Sequence, residues 1–69
     1  MIEHIVLFNY KGQDILIKEI NDHYVVGICG ETGRYIWFEH LKYDSFRVAR
    51  TSGRDYARII IDKMLMSRK

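Results

Sequence analysis

Turn signals recur at short intervals along this chain, and they limit what the chain can fold into. They fall at Lys11-Gly12, Asn21-Asp22, Gly30-Glu31-Thr32-Gly33 and Ser52-Gly53, and the sequence contains no proline. Glycine and Asn or Asp accept the backbone conformations that tight turns require. The segments between the first three signals are of strand length and too short for most helices.

These segments are rich in β-branched and aromatic residues, which favour β-strands. Strands are predicted at about residues 3–10, 13–20, 23–29 and 33–40. A shorter fifth strand is predicted at about residues 45–49, where Phe46 and Val48 alternate with more polar neighbours.

The short connections decide how these strands pair. Loops of so few residues suit antiparallel hairpins, because parallel crossovers need a dozen residues or more. Five short strands joined in this way favour a small curled barrel, which also hides most strand edges. The expected fold is mainly β (β+α): a five-stranded antiparallel SH3/Sm-like barrel over residues 1–50, followed by one C-terminal α-helix.

The C-terminal segment changes to a helical period. Ser52 and Asp55 match a capping box, and the pattern predicts a helix over residues 53–67. Ile59, Leu65 and Met66 fall outside its main apolar face, and a helix that is apolar nearly all round favours a second partner. Two interpretations stay open: these three residues form a partner interface, which includes self-association, or the chain end frays.

Length and composition restrict the class of protein. The 69 residues allow one domain, 1–69, and the 48% hydrophobic and 29% charged fractions are typical of a globular chain. The apolar runs are far shorter than the roughly 18 residues of a membrane span, and no signal-peptide pattern is present. Cys29 is the one cysteine, which excludes an internal disulfide. We therefore expect a cytoplasmic protein with no membrane partner.

Motifs for catalysis and metal binding are absent from the sequence. No Gly-rich phosphate loop precedes a helix, and no serine lies in a nucleophile elbow. His4, His23 and His40 are far apart, and neither CxxC nor HxxxH spacing occurs. We expect no enzyme, no catalytic residue, no metal site and no cofactor, and hence a binding module.

An aromatic and basic strand is the first candidate binding feature. In Arg34-Tyr35-Ile36-Trp37-Phe38, alternation places Tyr35 and Trp37 on one face and the other two apolar side chains on the opposite face. Exposed aromatics near an arginine can stack nucleic-acid bases. The alternative is that the helix covers these rings as part of the core.

The C-terminal third is the second candidate, because it concentrates positive charge. Residues 1–41 carry a net charge of −3 and residues 42–69 a net charge of +5. Beyond Lys42, its basic residues are Arg47, Arg50, Arg54, Arg58, Lys63, Arg68 and Lys69, with Arg54 and Arg58 predicted on one helical face. Phosphate binding requires such a cluster. The alternative is an ordinary solvated helix surface, on which Asp55 and Asp62 offset part of the positive charge.

Residues 23–43 carry a family resemblance. The segment His23-Tyr24-Val25-Val26-Gly27, followed by Gly33 to Lys42, resembles a WYL domain, and the resemblance extends over about residues 5–48. Tyr24, Val25 and Phe38 match the family's Tyr, Leu and Phe positions. His23 stands at the family's Trp position, and Ile36 and Glu39 stand where the family has arginines that contact ligand. Arg34 is the nearby candidate to replace those arginines.

The resemblance implies a Sm-like, SH3-type barrel in a ligand- or nucleic-acid-sensing module of bacterial and phage regulators. The first hypothesis is therefore a small regulatory, non-catalytic barrel that binds nucleic acid or a ligand through Arg34, Tyr35, Trp37, Arg47, Arg50, Arg54 and Arg58. The second is a protein-interaction module, such as a small phage or mobile-element protein that docks on a host protein or self-associates. Its interface would consist of Ile59, Leu65 and Met66.

Overall fold

A computed structural model describes residues 4–67 of the chain. Its strands are β1 (Ile5–Tyr10), β2 (Gln13–Ile20), β3 (His23–Cys29) and β4 (Tyr35–Trp37). They form one antiparallel sheet in the order β1-β2-β3-β4. Three helical segments follow: α1 (Phe46–Val48), a π-helical segment (Ala49–Gly53) and α2 (Arg54–Met66). No helix in this described part of the chain is long and apolar enough to cross a membrane.

Two tight hairpins join the first three strands. Lys11 and Gly12 have φ values of 53° and 87°, and Asn21 and Asp22 have φ values of 49° and 68°. Positive φ at both central residues is the mark of a type I′ turn, whose twist matches that of paired strands. These two predicted turns are confirmed.

The predicted five-stranded barrel is wrong, because the sheet is open and has four strands. Residues 46–48 are helical, and the Ser45 hydroxyl accepts a hydrogen bond of 3.2 Å from the Val48 backbone N–H. Alternation over only five residues fits a strand or a helical turn, and here the cap favours the helix. Residue 43 makes only a single bridge, to Tyr24.

The predicted capping box at Ser52 is also wrong, because the helical backbone begins earlier. Val48, Ala49, Gly53 and Arg54 all have right-handed helical φ and ψ, so the path from Phe46 to Met66 is continuous. Ser52 lies inside the π-helical segment and caps nothing.

A stripe of small residues packs this helical path against the sheet. Buried residues recur every fourth position, at Ala49, Gly53, Ala57 and Ile61. In an α-helix such a stripe drifts by about 40° at each step. A π-turn bonds residue i to i+5 and takes up one extra residue, which reduces the drift. The stripe therefore stays over the core, whose sheet residues are Ile15, Ile17, Val26 and Ile28.

An irregularity in β1 shapes the edge of the sheet. Val6 pairs with Leu16 and Phe8 pairs with Ile15, so Leu7 is an extra residue in the strand. A bulge of this kind bends the strand and re-aims its side chains. Phe8 and Leu7 pack toward the helix-covered core, whereas Val6 lies on the opposite face and is 52% exposed.

Candidate nucleic-acid interface

A groove of about 490 Å³ lies between the edge strand β1 and the first turns of the helical path. It is termed here the arginine groove, and it is lined by Val6, Leu7, Phe8, Phe46, Arg50, Thr51 and Arg54. The lining combines two cations with apolar and aromatic side chains and contains no carboxylate. Such a groove fits a ligand that carries both negative charge and flat apolar surface.

The two guanidinium groups of the groove differ in their surroundings. Arg50 is exposed, and Nε of Arg54 is buried with no hydrogen-bond partner. The nearest carboxylate oxygen, Oδ1 of Asp55, lies 3.5 Å from that Nε, which is an ion-pair distance without hydrogen-bond geometry. An arginine offers five N–H donors. Within residues 4–67 neither arginine donates a hydrogen bond to a side chain.

The aromatic part of the groove is held in place by β3. Phe46 makes an edge contact with Tyr24, with the two ring centroids 6.0 Å apart. Tyr24 is fixed in turn, because its backbone exchanges two hydrogen bonds of 2.8 and 3.0 Å with Tyr43. Phe46 remains 36% exposed, so its ring is oriented but still accessible to a ligand.

The other predicted arginines lie outside the groove. Arg47 is exposed and does not line it. Arg58 lies over the Tyr10 ring, 5.1 Å from its centroid, beside the Tyr10 hydrogen bonds to Asp62. Lys63 is exposed near the end of α2, whereas residues 68 and 69 lie outside the described residues. The structure therefore brings together Arg50 and Arg54, not the predicted pair of Arg54 and Arg58.

The predicted aromatic strand is at the opposite edge of the sheet. Arg34 is exposed just before β4, and Tyr35 and Trp37 lie on the sheet face away from α2. The helix therefore does not cover these rings. With His4, which contacts both at centroid distances of 5.2 and 5.9 Å, they form what we term the aromatic cluster.

Trp37 is half-buried in this cluster and packs on its own sheet. It pairs with Gly27, and a Cβ on that glycine would lie 2.6 Å from Trp37 Cε3. Nζ of Lys18 lies 4.1 Å from the centroid of the Trp37 ring, a cation–π distance. Trp37 is thus an anchor of the cluster, whereas Tyr35, at 50% exposure, is its accessible ring.

Lys18 is the buried charged residue of the described chain, at 4% exposure. Its ammonium lies 3.8 Å from Oε2 of Glu39, which is too long for a hydrogen bond. Sequence reasoning missed the roles of Lys18 and His4. A signal did exist for Lys18, because the two-residue turn at Asn21-Asp22 places it opposite Val25 on the face that carries Trp37.

The structure separates the three residues of the predicted partner interface, because two are exposed and one is half-buried. Ile59 and Met66 are 54% and 74% exposed, and they lie two helical turns apart on the outer side of α2. Leu65 is half-buried and packs against the core cluster.

Comparison of the chain with protein-family models, with curated proteins and with solved structures found no match. The resemblance to WYL domains therefore stays a prediction, and the site is interpreted from its own geometry.

Proposed function

We propose that this chain is a non-catalytic binding module that holds single-stranded nucleic acid in the arginine groove. The observation that carries the proposal is the pairing of the Arg50 and Arg54 side chains with an exposed phenylalanine ring, in a groove with no carboxylate among its described lining residues. The proposal includes a cytoplasmic location and, from the resemblance of residues 5–48 to WYL domains, a regulatory role in a bacterium or phage.

The chemistry of the groove favours single strands over duplexes. Phosphates accept bidentate hydrogen bonds from arginine, which suits Arg50 and Arg54. Bases stack on aromatic side chains, which suits Phe46, but only unpaired bases present their faces. A duplex would satisfy the arginines and leave Phe46 unused.

The experiment is fluorescence anisotropy with labelled single-stranded DNA, single-stranded RNA and duplex of about twelve nucleotides, at low and high salt. We expect single strands to bind most tightly, and affinity to fall steeply as salt rises. Arg50→Ala with Arg54→Ala should weaken binding roughly tenfold or more and reduce the dependence on salt, because two phosphate contacts are lost.

A matched control separates the groove from bulk charge. Arg47→Ala with Lys63→Ala removes the same charge from exposed positions outside the groove. This control should bind nearly as the wild type does, and circular dichroism should show that both double variants are folded. Equal losses in the two double variants, or no binding by the wild type at low salt, would refute the proposal.

A protein-interaction module is the second candidate function, and the exposed Ile59 and Met66 side chains favour it. Single exposed apolar residues are common on protein surfaces, so this observation is weaker than the groove. If no nucleic acid binds, the search for a protein partner starts at this side of α2.

A further inference from the structure

We infer that a nucleic-acid strand held in the arginine groove continues across the sheet face away from α2, and that one of its bases stacks on Tyr35. This inference rests on the proposed function and adds a second contact surface, the aromatic cluster, to the groove. It also gives a role to Arg34, the exposed cation that directly precedes Tyr35 in the sequence.

The register of the sheet connects the two surfaces. Val6 lines the groove and pairs with Leu16, Leu16 pairs with Gly27, and Gly27 pairs with Trp37. These residues form one cross-strand row on the face away from α2. The row spans three strand spacings, or about 14 Å. A path of this length suits a site of about four nucleotides, the small end of known single-strand sites.

The surface along this path is apolar and aromatic. Val6 is exposed at one end and Tyr35 at the other, and the His4 ring contacts both rings of the cluster. Leu16 and Gly27, the two middle residues of the row, are buried. Nucleobases stack on such surfaces independently of their sequence.

Two carboxylates on this face of the described chain have polar partners. Glu39 lies 3.8 Å from the ammonium of Lys18, and Asp14 accepts a hydrogen bond of 3.0 Å from the side-chain amide of Asn9. The ammonium of Lys18 offsets the charge of Glu39, so repulsion of a phosphate backbone is reduced beside Trp37. Arg34, exposed beside Tyr35, adds a positive charge at its end.

Tyr35 is held ready for stacking. Its ring is parallel to that of Trp37 within 2°, with centroids 6.3 Å apart. Trp37 is fixed by its packing on Gly27 and by the ammonium of Lys18. An aromatic ring already held in one orientation loses little conformational entropy when a base stacks on it.

The test compares oligonucleotides of two lengths, about three and about nine nucleotides, in anisotropy and in Trp37 fluorescence. The sequence has one tryptophan, so its emission reports on the aromatic cluster alone. We expect the longer strand to change Trp37 emission and the shorter strand, which fits within the groove, to leave it unchanged.

Variants of β4 complete the test. Tyr35→Ala should weaken binding of the longer strand at least about fivefold and leave the shorter strand unaffected, because one stacked base is lost. Tyr35→Phe keeps the ring and should bind as the wild type does. Ile36→Ala, exposed on the other face of β4, should also leave binding unchanged.

The outcomes separate this inference from the proposed function. In one outcome, Tyr35→Ala binds the longer oligonucleotide normally and Trp37 emission does not change, while the double variant of Arg50 and Arg54 loses affinity. That outcome supports binding in the arginine groove and shows that the inference about Tyr35 is wrong. If the wild type binds neither strand, both are wrong, and a protein partner becomes the better explanation of both surfaces.

Discussion

At the scale of single residues, two glycines allow both faces of β3 to be covered. Gly53 approaches β3 from the helix side, and a Cβ there would overlap Cγ2 of Val26. Gly27 lies in β3 itself, and a Cβ there would meet Trp37 and the carbonyl oxygen of Ile36. In both places the absent side chain is replaced by a close neighbour, so neither position tolerates added volume without a shift of backbone or core.

Gly53→Ala should therefore destabilise the fold by about 1–3 kcal/mol, the usual cost of overpacking a buried contact. Alanine is the better helix former, so helix propensity alone predicts stabilisation. Urea unfolding measures the difference. Ser52→Ala, at the exposed neighbouring position, is the control and should change stability little. A Gly53→Ala protein as stable as the wild type would show that the π-helical segment does not pack this closely on β3.

At the scale of elements, the helical path from Phe46 to Met66 determines where the groove lies. Its start at Ser45 brings Phe46, Arg50 and Arg54 beside β1, and its π-helical segment keeps the small residues on the core. The bulge in β1 supplies the opposite wall, because it aims Val6, Leu7 and Phe8 to different sides. The groove is thus formed by irregularities in two elements that face each other.

The position of the N-cap gives a direct test of this path. Ser45→Ala should destabilise the protein by about 1 kcal/mol, because the hydrogen bond to the Val48 N–H is lost. Ser52→Ala removes the cap that sequence reasoning predicted and should have almost no effect. Thermal unfolding of the two variants compares them, and a larger loss for Ser52→Ala would contradict a helical start at Phe46.

At the scale of the whole molecule, one polar cluster joins the first hairpin to α2. The Tyr10 hydroxyl donates to both carboxylate oxygens of Asp62 at 3.1 and 3.2 Å, and Nζ of Lys11 lies 2.9 Å from Oδ1. The hydrogen bond with Lys11 lowers the pKa of Asp62 below its ordinary value of 3.8, and the same bond raises the pKa of Lys11 above 10.5. All these groups are solvent-accessible, so the contribution to stability is small.

The direction of each pKa shift decides whether this polar cluster stops stabilising the fold in acid or in base. Because the pKa of Asp62 is lower in the folded chain, its stabilisation is present above about pH 4 and disappears as the pH falls through the folded pKa. The raised pKa of Lys11 gives stabilisation below about pH 10.5 that is lost at higher pH.

Asp62→Asn should therefore lower the thermal midpoint slightly at pH 7, and the difference from the wild type should vanish in strong acid. Thermal unfolding at several pH values measures this. Asp44→Asn, an exposed position outside the cluster, serves as the control. A difference that persists unchanged at the lowest pH would show that the carboxylate charge of Asp62 is not its source.

The sequence by itself determined the features that depend on near neighbours. The turns at Lys11-Gly12 and Asn21-Asp22 require residues that accept positive φ. The register of β2 with β3, and of β1 with β2 as far as the bulge at Leu7, therefore follows from local chemistry. The periodicity of residues 54–66 likewise identified α2.

Tertiary structure alone decided the features that depend on packing between distant segments. Residues 45–49 fit a strand or a helix locally, and the contact of Gly53 with Val26 belongs to the helical alternative. Arg50 and Arg54 are neighbours along the helical path, but only packing brings them beside Phe8, and only packing brings Trp37 over the ammonium of Lys18. Such contacts join segments far apart in the chain, and local patterns do not fix them, because each depends on where the other segment packs.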